Sequence, residues 1–209
     1  MYLITDRTLF SDSGSFFESV KGALKAGVKA IQLREKDLST RELLGMAYRM
    51  RVLTSEYRAM LFINDRTDIA LCAGADGVHL GQAGLPAYAV RKAAGGRLLI
   101  GVSSHSLQEA HIAEKEGADF ITFGPLYQTP SKLKYGRPVG LEALNKVAGE
   151  IGIPVFGIGG IKRDTIKAVM RSGAGGIALI SGILGEADTK TAAGNYLEEI
   201  NMAIGNSLN

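Results

Sequence analysis

The stretch IPVFGIGGIKRDTIKAVMRSGAGGIALISGILG (153–185) decides the fold. Two apolar runs, Pro154–Ile158 and Ile177–Ile180, are rich in β-forming residues, and each ends in small ones. Between them Ile166, Val169 and Met170 recur at helical spacing, so the order is strand, helix, strand. A crossover of that kind joins parallel neighbours. Gly159-Gly160 falls just past the carboxyl end of the first strand, and Ser181-Gly182 just past the end of the second. Residues without a large side chain let backbone N–H groups approach an anion, and adjacent loops that open helices make a phosphate site. In a (β/α)8 barrel that site follows strands seven and eight. A plainer reading of GIGG, that its glycines only make tight turns, stays open at this point.

Outward from this unit the same alternation runs back to the N-terminus. Strands are predicted at YLIT (2–5), KAIQLREKD (29–37), AMLFIND (59–65), DGVHLG (76–81), LLIGVSSHS (98–106) and DFITFGPLY (119–127). Amphipathic helices are predicted after each. The first carries Phe16, Val20, Ala23 and Leu24 on one face and stops at Gly27. The second starts at a Ser39–Glu42 capping box and runs to about Tyr57, and Ser106 with Glu109 repeats the box before the fifth. Pro86 sits in the first turn of the fourth, and the last helix covers Thr189–Ile204. Eight strand–helix units with short connections predict a single α/β domain over residues 1–209, a (β/α)8 TIM barrel. An open doubly wound sheet is the alternative, but no GxGxxG follows the first strand. GADGVHLG, GADFITFG and GAGGIALISG read as repeated helix-to-strand joints of one barrel.

Composition is that of an ordinary soluble domain and removes other classes. The chain has 209 residues, 46% hydrophobic and 22% charged, with a net charge of +3. So small a charge gives no argument for nucleic acid or for a membrane surface, and suits an anionic metabolite. Cys72 is the only cysteine, which rules out an internal disulfide and a cysteine metal cluster. Its run IALCAG predicts a small buried hydrophobe. Met1-Tyr2-Leu3-Ile4 lacks the basic and long apolar regions of a secretory leader, so the cytoplasm is the expected compartment. Homo-oligomer formation is left open.

In such a barrel the chemistry gathers at the carboxyl ends of the strands. Strand two ends in Gln32, Arg34 and Lys36, which strand alternation puts on one side. Two cations and an amide aimed at one mouth need an anion to offset desolvation, and a diphosphate would serve. A salt-bridged structural cluster is the alternative. Strand three ends in Asn64-Asp65, where Asp65 is a magnesium carboxylate, a partner for a substrate amine, or a cap for the next helix. Strand four ends in His79 and strand five in Ser103-Ser104-His105. His105 is read first as a hydrogen-bonded positioning residue, with base or metal ligand as alternatives, and His111 as surface. No two histidines have metal-ligand spacing. The loop after strand six holds Thr129, Ser131, Lys132, Lys134 and Arg137, donors suited to phosphate oxygens.

At this point QLREKD (32–37), IND (63–65), DGVHLGQ (76–82), GVSSHS (101–106), ADFITFGPLYQTPSK (118–132), GLEAL (140–144), IPVFGIGGI (153–161) and GIALISGI (176–183) together resemble the thiamine phosphate synthase family and its thiazole tautomerase relatives. The resemblance covers nearly the whole chain and implies a (β/α)8 barrel. It implies coupling of a hydroxymethylpyrimidine diphosphate to a thiazole phosphate with release of pyrophosphate, assisted by Mg2+. It implies that Arg34, Lys36, Ser103 and Lys132 are catalytic. Gln32, Asn64, Thr129, Ser131, Gly160, Ile180 and Ser181 would bind substrate, and Asp65 would hold the metal. Two positions depart from the pattern. Gly84 stands where synthases usually carry a second magnesium Asp, and Pro125 stands where the tautomerase branch carries an acid–base His. The retained diphosphate set favours the synthase. The alternatives are a tautomerase acting on a carboxythiazole phosphate and a non-catalytic binder of thiamine precursors.

Overall fold

The computed structural model of the chain describes residues 1–128 and 137–205. Its parallel strands close into a barrel in chain order: β1 (Tyr2–Ile4), β2 (Ala30–Leu33), β3 (Met60–Asn64), β4 (Gly77–Leu80), β5 (Leu99–Ser104), β6 (Phe120–Phe123), β7 (Val155–Ile158) and β8 (Gly176–Leu179). Closure comes from β1 lying against β8, with Leu3 opposite Leu179. The open-sheet alternative is thereby removed. Around the barrel lie α1 (Ser13–Lys25), α2 (Thr40–Glu56), α3 (Thr67–Cys72), α4 (Ala87–Ala94), α5 (Leu107–Lys115), α6 (Gly140–Glu150), α7 (Ile166–Arg171), α8 (Ser181–Leu184) and α9 (Thr189–Gly205).

Local chemistry explains the helix ends. The buried face of α1 is Phe16, Val20, Ala23 and Leu24, as its 3.6-residue period dictates. Ser39 accepts from the Glu42 amide while Glu42 reaches back to the Ser39 amide, a full capping box. The expected second box is half formed. Ser106 accepts from the Glu109 amide, but the Glu109 carboxylate takes the His105 amide at 2.6 Å.

Two populations of side chains fill the molecule. One core lies between strands and helices, built from residues such as Leu33, Leu61, Ile63, Val78 and Ile100. The second is inside the barrel: Tyr2, Ile4, Phe62, Phe120 and Ala178, with Phe156 against them. Its rings meet edge to face, with Tyr2 and Phe62 centroids 5.4 Å apart and Phe62 and Phe120 5.3 Å apart. Such contacts favour a T-shaped arrangement of opposed quadrupoles. The strands make room with glycine. A Cβ on Gly77 would strike the Phe62 ring, one on Gly101 the Phe120 ring, and one on Gly176 the Phe156 ring. Large residues opposite absent side chains keep so narrow a barrel close-packed.

The recurring Gly-Ala-Asp phrases are helix-to-strand joints, and two of them carry an ionic staple. At Asp76 one carboxylate oxygen accepts from the Leu61 amide at 2.7 Å and from Arg51 at 2.6 Å. At Asp119 one oxygen accepts from the Ile100 amide and from Arg91, both at 2.6 Å. Each arginine also binds carbonyls: Arg51 those of Ala59 and Gly74, Arg91 those of Leu98 and Gly117. The third joint keeps the backbone bond, Gly175 amide to Val155 carbonyl at 2.8 Å, but has glycine in the aspartate's place. These staples sit at the amino ends of the strands, the face that carries stability in a barrel.

Three expectations fail. The sixth strand ends at Phe123, not Tyr127. The second strand ends at Leu33, not Asp37. Beyond Gln32 its partner β1 gives only the Thr5 amide and then turns into a 3-10 turn at Arg7–Leu9, so residues 35–37 have no ladder to join. Cys72 is exposed, not buried. It ends α3, whose inward positions are Thr67, Ile69 and Ala70.

Candidate active site

The carboxyl rim is built over a buried polar relay. Gln32 Nε2 donates to the Tyr2 hydroxyl at 3.0 Å, and that hydroxyl lies 3.4 Å from His79 Nδ1. His79 Nε2 is 3.0 Å from Ser103 Oγ and 3.3 Å from Thr122 Oγ1. The Gln32 amide nitrogen can only donate, so among the described residues Nδ1 is the acceptor for the Tyr2 proton, which assigns the imidazole proton to Nε2. Ser103 Oγ at 3.0 Å is the nearer acceptor for it, and Thr122 Oγ1 at 3.3 Å the other. Burial pushes the His79 pKa down to about 3, with Asp65 opposing and Arg34 assisting, so the ring is neutral at physiological pH. Burial pushes the Tyr2 phenol up, so it too stays neutral.

The cations stand at the mouth. Arg34 leaves β2 half-buried, its amide donating to Thr5 Oγ1 at 2.9 Å. Its guanidinium has no hydrogen-bond or ion-pair partner among the described residues. Lys36 lies past the strand in a turn and does not follow from alternation; its ammonium is 4.0 Å from Asp65 Oδ2. A hollow of about 260 Å³ beside Lys36 is lined by Leu33, Glu35, Leu38, Leu43, Asn64, Asp65 and Arg66, without Arg34.

Asp65 is held in the left-handed region at φ 56°. Its carboxylate does not cap α3, whose N-cap position is Arg66 and whose first turn has no side-chain capping bond. Instead Oδ1 accepts from the Gly81 amide at 2.7 Å and Oδ2 from Asn64 Nδ2 at 2.8 Å. Each oxygen retains a lone pair. A Cβ on Gly84 would lie 3.0 Å from Oδ1, so the position of the missing second carboxylate is beside this one. Among the described residues no cluster of three Asp, Glu, His or Cys side chains could hold a metal. A single carboxylate fits magnesium when phosphate oxygens and waters complete the octahedron.

On the opposite side of the mouth the loops after β6 and β7 are zipped together. Leu126 donates to the Ile158 carbonyl at 2.8 Å and Tyr127 to that of Gly159 at 3.0 Å. Gly159 (φ 94°) and Gly160 (φ 67°) are left-handed, and side chains there would strike Pro125 and Tyr127. The tight-turn reading of GIGG therefore holds, and the missing side chains also admit the loop after β6. Ile180 lies against the interior cluster, and α8 begins at Ser181, so its first amides have no intrahelical acceptor. His105 Nδ1 bonds the Gly124 carbonyl at 2.5 Å, the positioning role expected of it. Pro125 offers no titratable group. Thr129, Ser131 and Lys132 lie outside the described residues.

The structure thus gathers Gln32, Arg34, Lys36, Asn64, Asp65 and Ser103 on the β2–β5 side of the mouth, and Gly160, Ile180 and Ser181 on the β7–β8 side. Tyr2 and Glu35 went unnoticed in sequence reading. Tyr2 looks like one more apolar residue of the first strand, and Glu35 like an ion-pair partner of its neighbours.

A closed parallel barrel with cations, an anchored carboxylate and hydroxyl and amide donors at its carboxyl rim is a (β/α)8-barrel enzyme with its site at the strand ends. Residues 1–183 match the family model described as thiamine monophosphate synthase. The chain belongs to that family. It is 52% identical over 193 residues to a putative thiamine-phosphate synthase of Geobacter sulfurreducens, covering 92% of this chain and 90% of the relative. It is 44% identical over 188 residues to the thiamine-phosphate synthase of Moorella thermoacetica, covering 90% of each. The solved thiamine phosphate pyrophosphorylase of Pyrococcus furiosus superposes with a TM-score of 0.89 at 40% identity, covering 98% of this chain and 96% of that one.

Proposed function

We propose that this chain is a thiamine-phosphate synthase. It joins the pyrimidinylmethyl group of hydroxymethylpyrimidine diphosphate to the ring nitrogen of thiazole phosphate and releases pyrophosphate. The observation that carries this reading is the Arg34 guanidinium, at the carboxyl end of β2 and without a hydrogen-bond or ionic partner among the described residues. A leaving diphosphate supplies the anion that Arg34 lacks among the described residues.

In the reaction the C–O bond between the pyrimidinylmethyl carbon and the diphosphate breaks, and its electron pair leaves on the diphosphate oxygen. The thiazole nitrogen lone pair then forms the C–N bond. Arg34 and Lys36 stabilise the charge that develops on the departing oxygens. Ser103, the nearer acceptor for the His79 proton, offers its O–H to a substrate acceptor. Neutral His79 adds no positive charge beside a forming cation. Gln32 and Asn64 offer polar edges to the pyrimidine. Gly160, Ile180 and Ser181 supply backbone donors to the thiazole phosphate, with Thr129 and Ser131 from the loop and Lys132 on the diphosphate side. Asp65 would hold Mg2+, which supplies charge neutralisation to the leaving group. As a maker of a phosphorylated cofactor precursor, the enzyme acts in the cytoplasm.

The test is one assay of purified protein with both substrates, with and without magnesium, following pyrophosphate and thiamine phosphate. Magnesium-dependent formation of both products is the expected result. No product from folded protein overturns the proposal.

A further inference from the structure

Glu35 lies between the two cations in sequence yet pairs with neither. It is 5% exposed, and its carboxylate is satisfied elsewhere. Oε1 accepts from the Thr5 hydroxyl at 2.5 Å and Oε2 from the Arg7 amide at 3.0 Å. Thr5 is fully buried, and the same Oγ1 accepts from the Arg34 amide at 2.9 Å. A small ring therefore closes: Arg34 amide to Thr5 hydroxyl, Thr5 hydroxyl to Glu35 carboxylate, and back along the chain. It pins the peptide from which the Arg34 side chain departs. Burial pushes the Glu35 carboxyl up and Asp6 adds to that rise. The two donors and the Arg7 charge act against both.

We propose that Glu35 is a positioning residue for Arg34: through the Thr5 hydroxyl it fixes the backbone carrying the guanidinium, and by bonding to Thr5 and Arg7 instead it leaves that cation without a partner among the described residues, open to an anionic substrate. The inference rests on reading Arg34 as an anion-binding group. A glutamine could not do the same. Its amide nitrogen would face either the Arg7 N–H, donor against donor, or the Thr5 hydroxyl, whose proton would then have no acceptor.

The test is a double-mutant cycle read in two ways, as kcat/KM for the coupling reaction and as affinity for inorganic pyrophosphate by calorimetry. Glu35→Gln and Thr5→Val each lower kcat/KM about ten- to a hundredfold, the range for a displaced charge-stabilising group. Thr5→Ser, which keeps the hydroxyl, recovers most of the Thr5→Val loss. In an Arg34→Ala background Glu35→Gln adds little, because it acts through the residue already removed. A merely structural Glu35 gives additive losses, and that result overturns the proposal, as does a Glu35→Gln enzyme equal to wild type. Thr5→Val carries the cycle if Glu35→Gln does not fold. Wild-type protein that binds pyrophosphate but makes no product sinks the synthase reading alone, and the cycle is then read in pyrophosphate affinity. Wild-type protein that binds no pyrophosphate sinks the inference.

Discussion

Restoring a carboxylate at position 84 probes the geometry around Asp65 most directly. Gly84 is exposed and its backbone is outside the left-handed region, so Gly84→Asp needs no special backbone. Its Cβ would sit 3.0 Å from Asp65 Oδ1 and 3.2 Å from the Gly81 carbonyl, so a shift of a few tenths of an ångström is needed. The two carboxylates would then stand about 4–5 Å apart, where like charges repel by roughly 1 kcal/mol in water and roughly 4 at an effective dielectric of 20. The Asp65 side chain is 30% exposed, which favours the lower figure. About 1 kcal/mol lowers Tm by roughly 2–4 °C in a chain of this size. Bound magnesium reverses the sign, since two carboxylates attract what one attracts less. A tenfold gain in metal affinity corresponds to about 1.4 kcal/mol. The assay is thermal unfolding at low ionic strength, with chelator and then with magnesium, beside the magnesium concentration for half-maximal rate. The variant should melt below wild type in chelator, and magnesium should close or invert the gap. Its half-maximal magnesium concentration should fall. Equal Tm values in chelator, together with a magnesium-induced rise no larger than in wild type, would refute the placement of position 84 beside a metal carboxylate.

Other outcomes follow from the same structure. Arg34→Ala should raise the barrier by roughly 2–4 kcal/mol, comparable to losing one oxyanion donor, and an unchanged kcat would remove Arg34 from catalysis. Asp119→Ala strands the buried Ile100 amide and should cost about 1–3 kcal/mol in urea unfolding. Asp119→Asn keeps an acceptor and should cost less, so equal losses would show that the amide bond is not what matters. His79 has a folded pKa of about 3, below its unfolded value. The unfolded chain therefore binds a proton first as pH falls, and stability declines below about pH 6.5 by up to roughly 1.4 kcal/mol per unit. Urea midpoints at pH 7 and 5 check this: His79→Gln should show a shallower decline, and a parallel one would contradict the neutral buried ring.

Elements with a local cause were legible in the sequence. The α1 face follows from four side chains one turn apart, the Ser39 cap from two residues three apart, and the barrel from the alternation of short apolar runs with such helices. The end of β2 was not legible, because a strand stops where its neighbours leave it and β1 turns away at Arg7. Cys72 misled because its neighbours are apolar while its place on α3 faces out. At the site, Arg34, Asn64 and Asp65 could be named as residues types suited to diphosphate and metal at strand ends. The Tyr2–Gln32–His79–Ser103 relay could not, since its members come from β1, β2, β4 and β5 and meet only when the barrel closes. Glu35 was hidden by its neighbours: sequence adjacency to two cations hides a carboxylate whose partners are Thr5 and an amide.

The Arg91–Asp119 staple has a consequence for a severed chain. A cut between Gly95 and Gly96 leaves β1–β4 in one fragment and β5–β8 in the other. The Arg51–Asp76 staple stays within the first fragment, but Arg91 is parted from all three of its acceptors, Leu98, Gly117 and Asp119. The two halves thus carry a built-in polar address for one another across the β4–β5 seam. In the intact chain the linkage supplies a high effective concentration and masks much of that contribution. Between separate fragments nothing masks it, so Arg91→Ala should impair complementation of the halves far more than it weakens the whole protein.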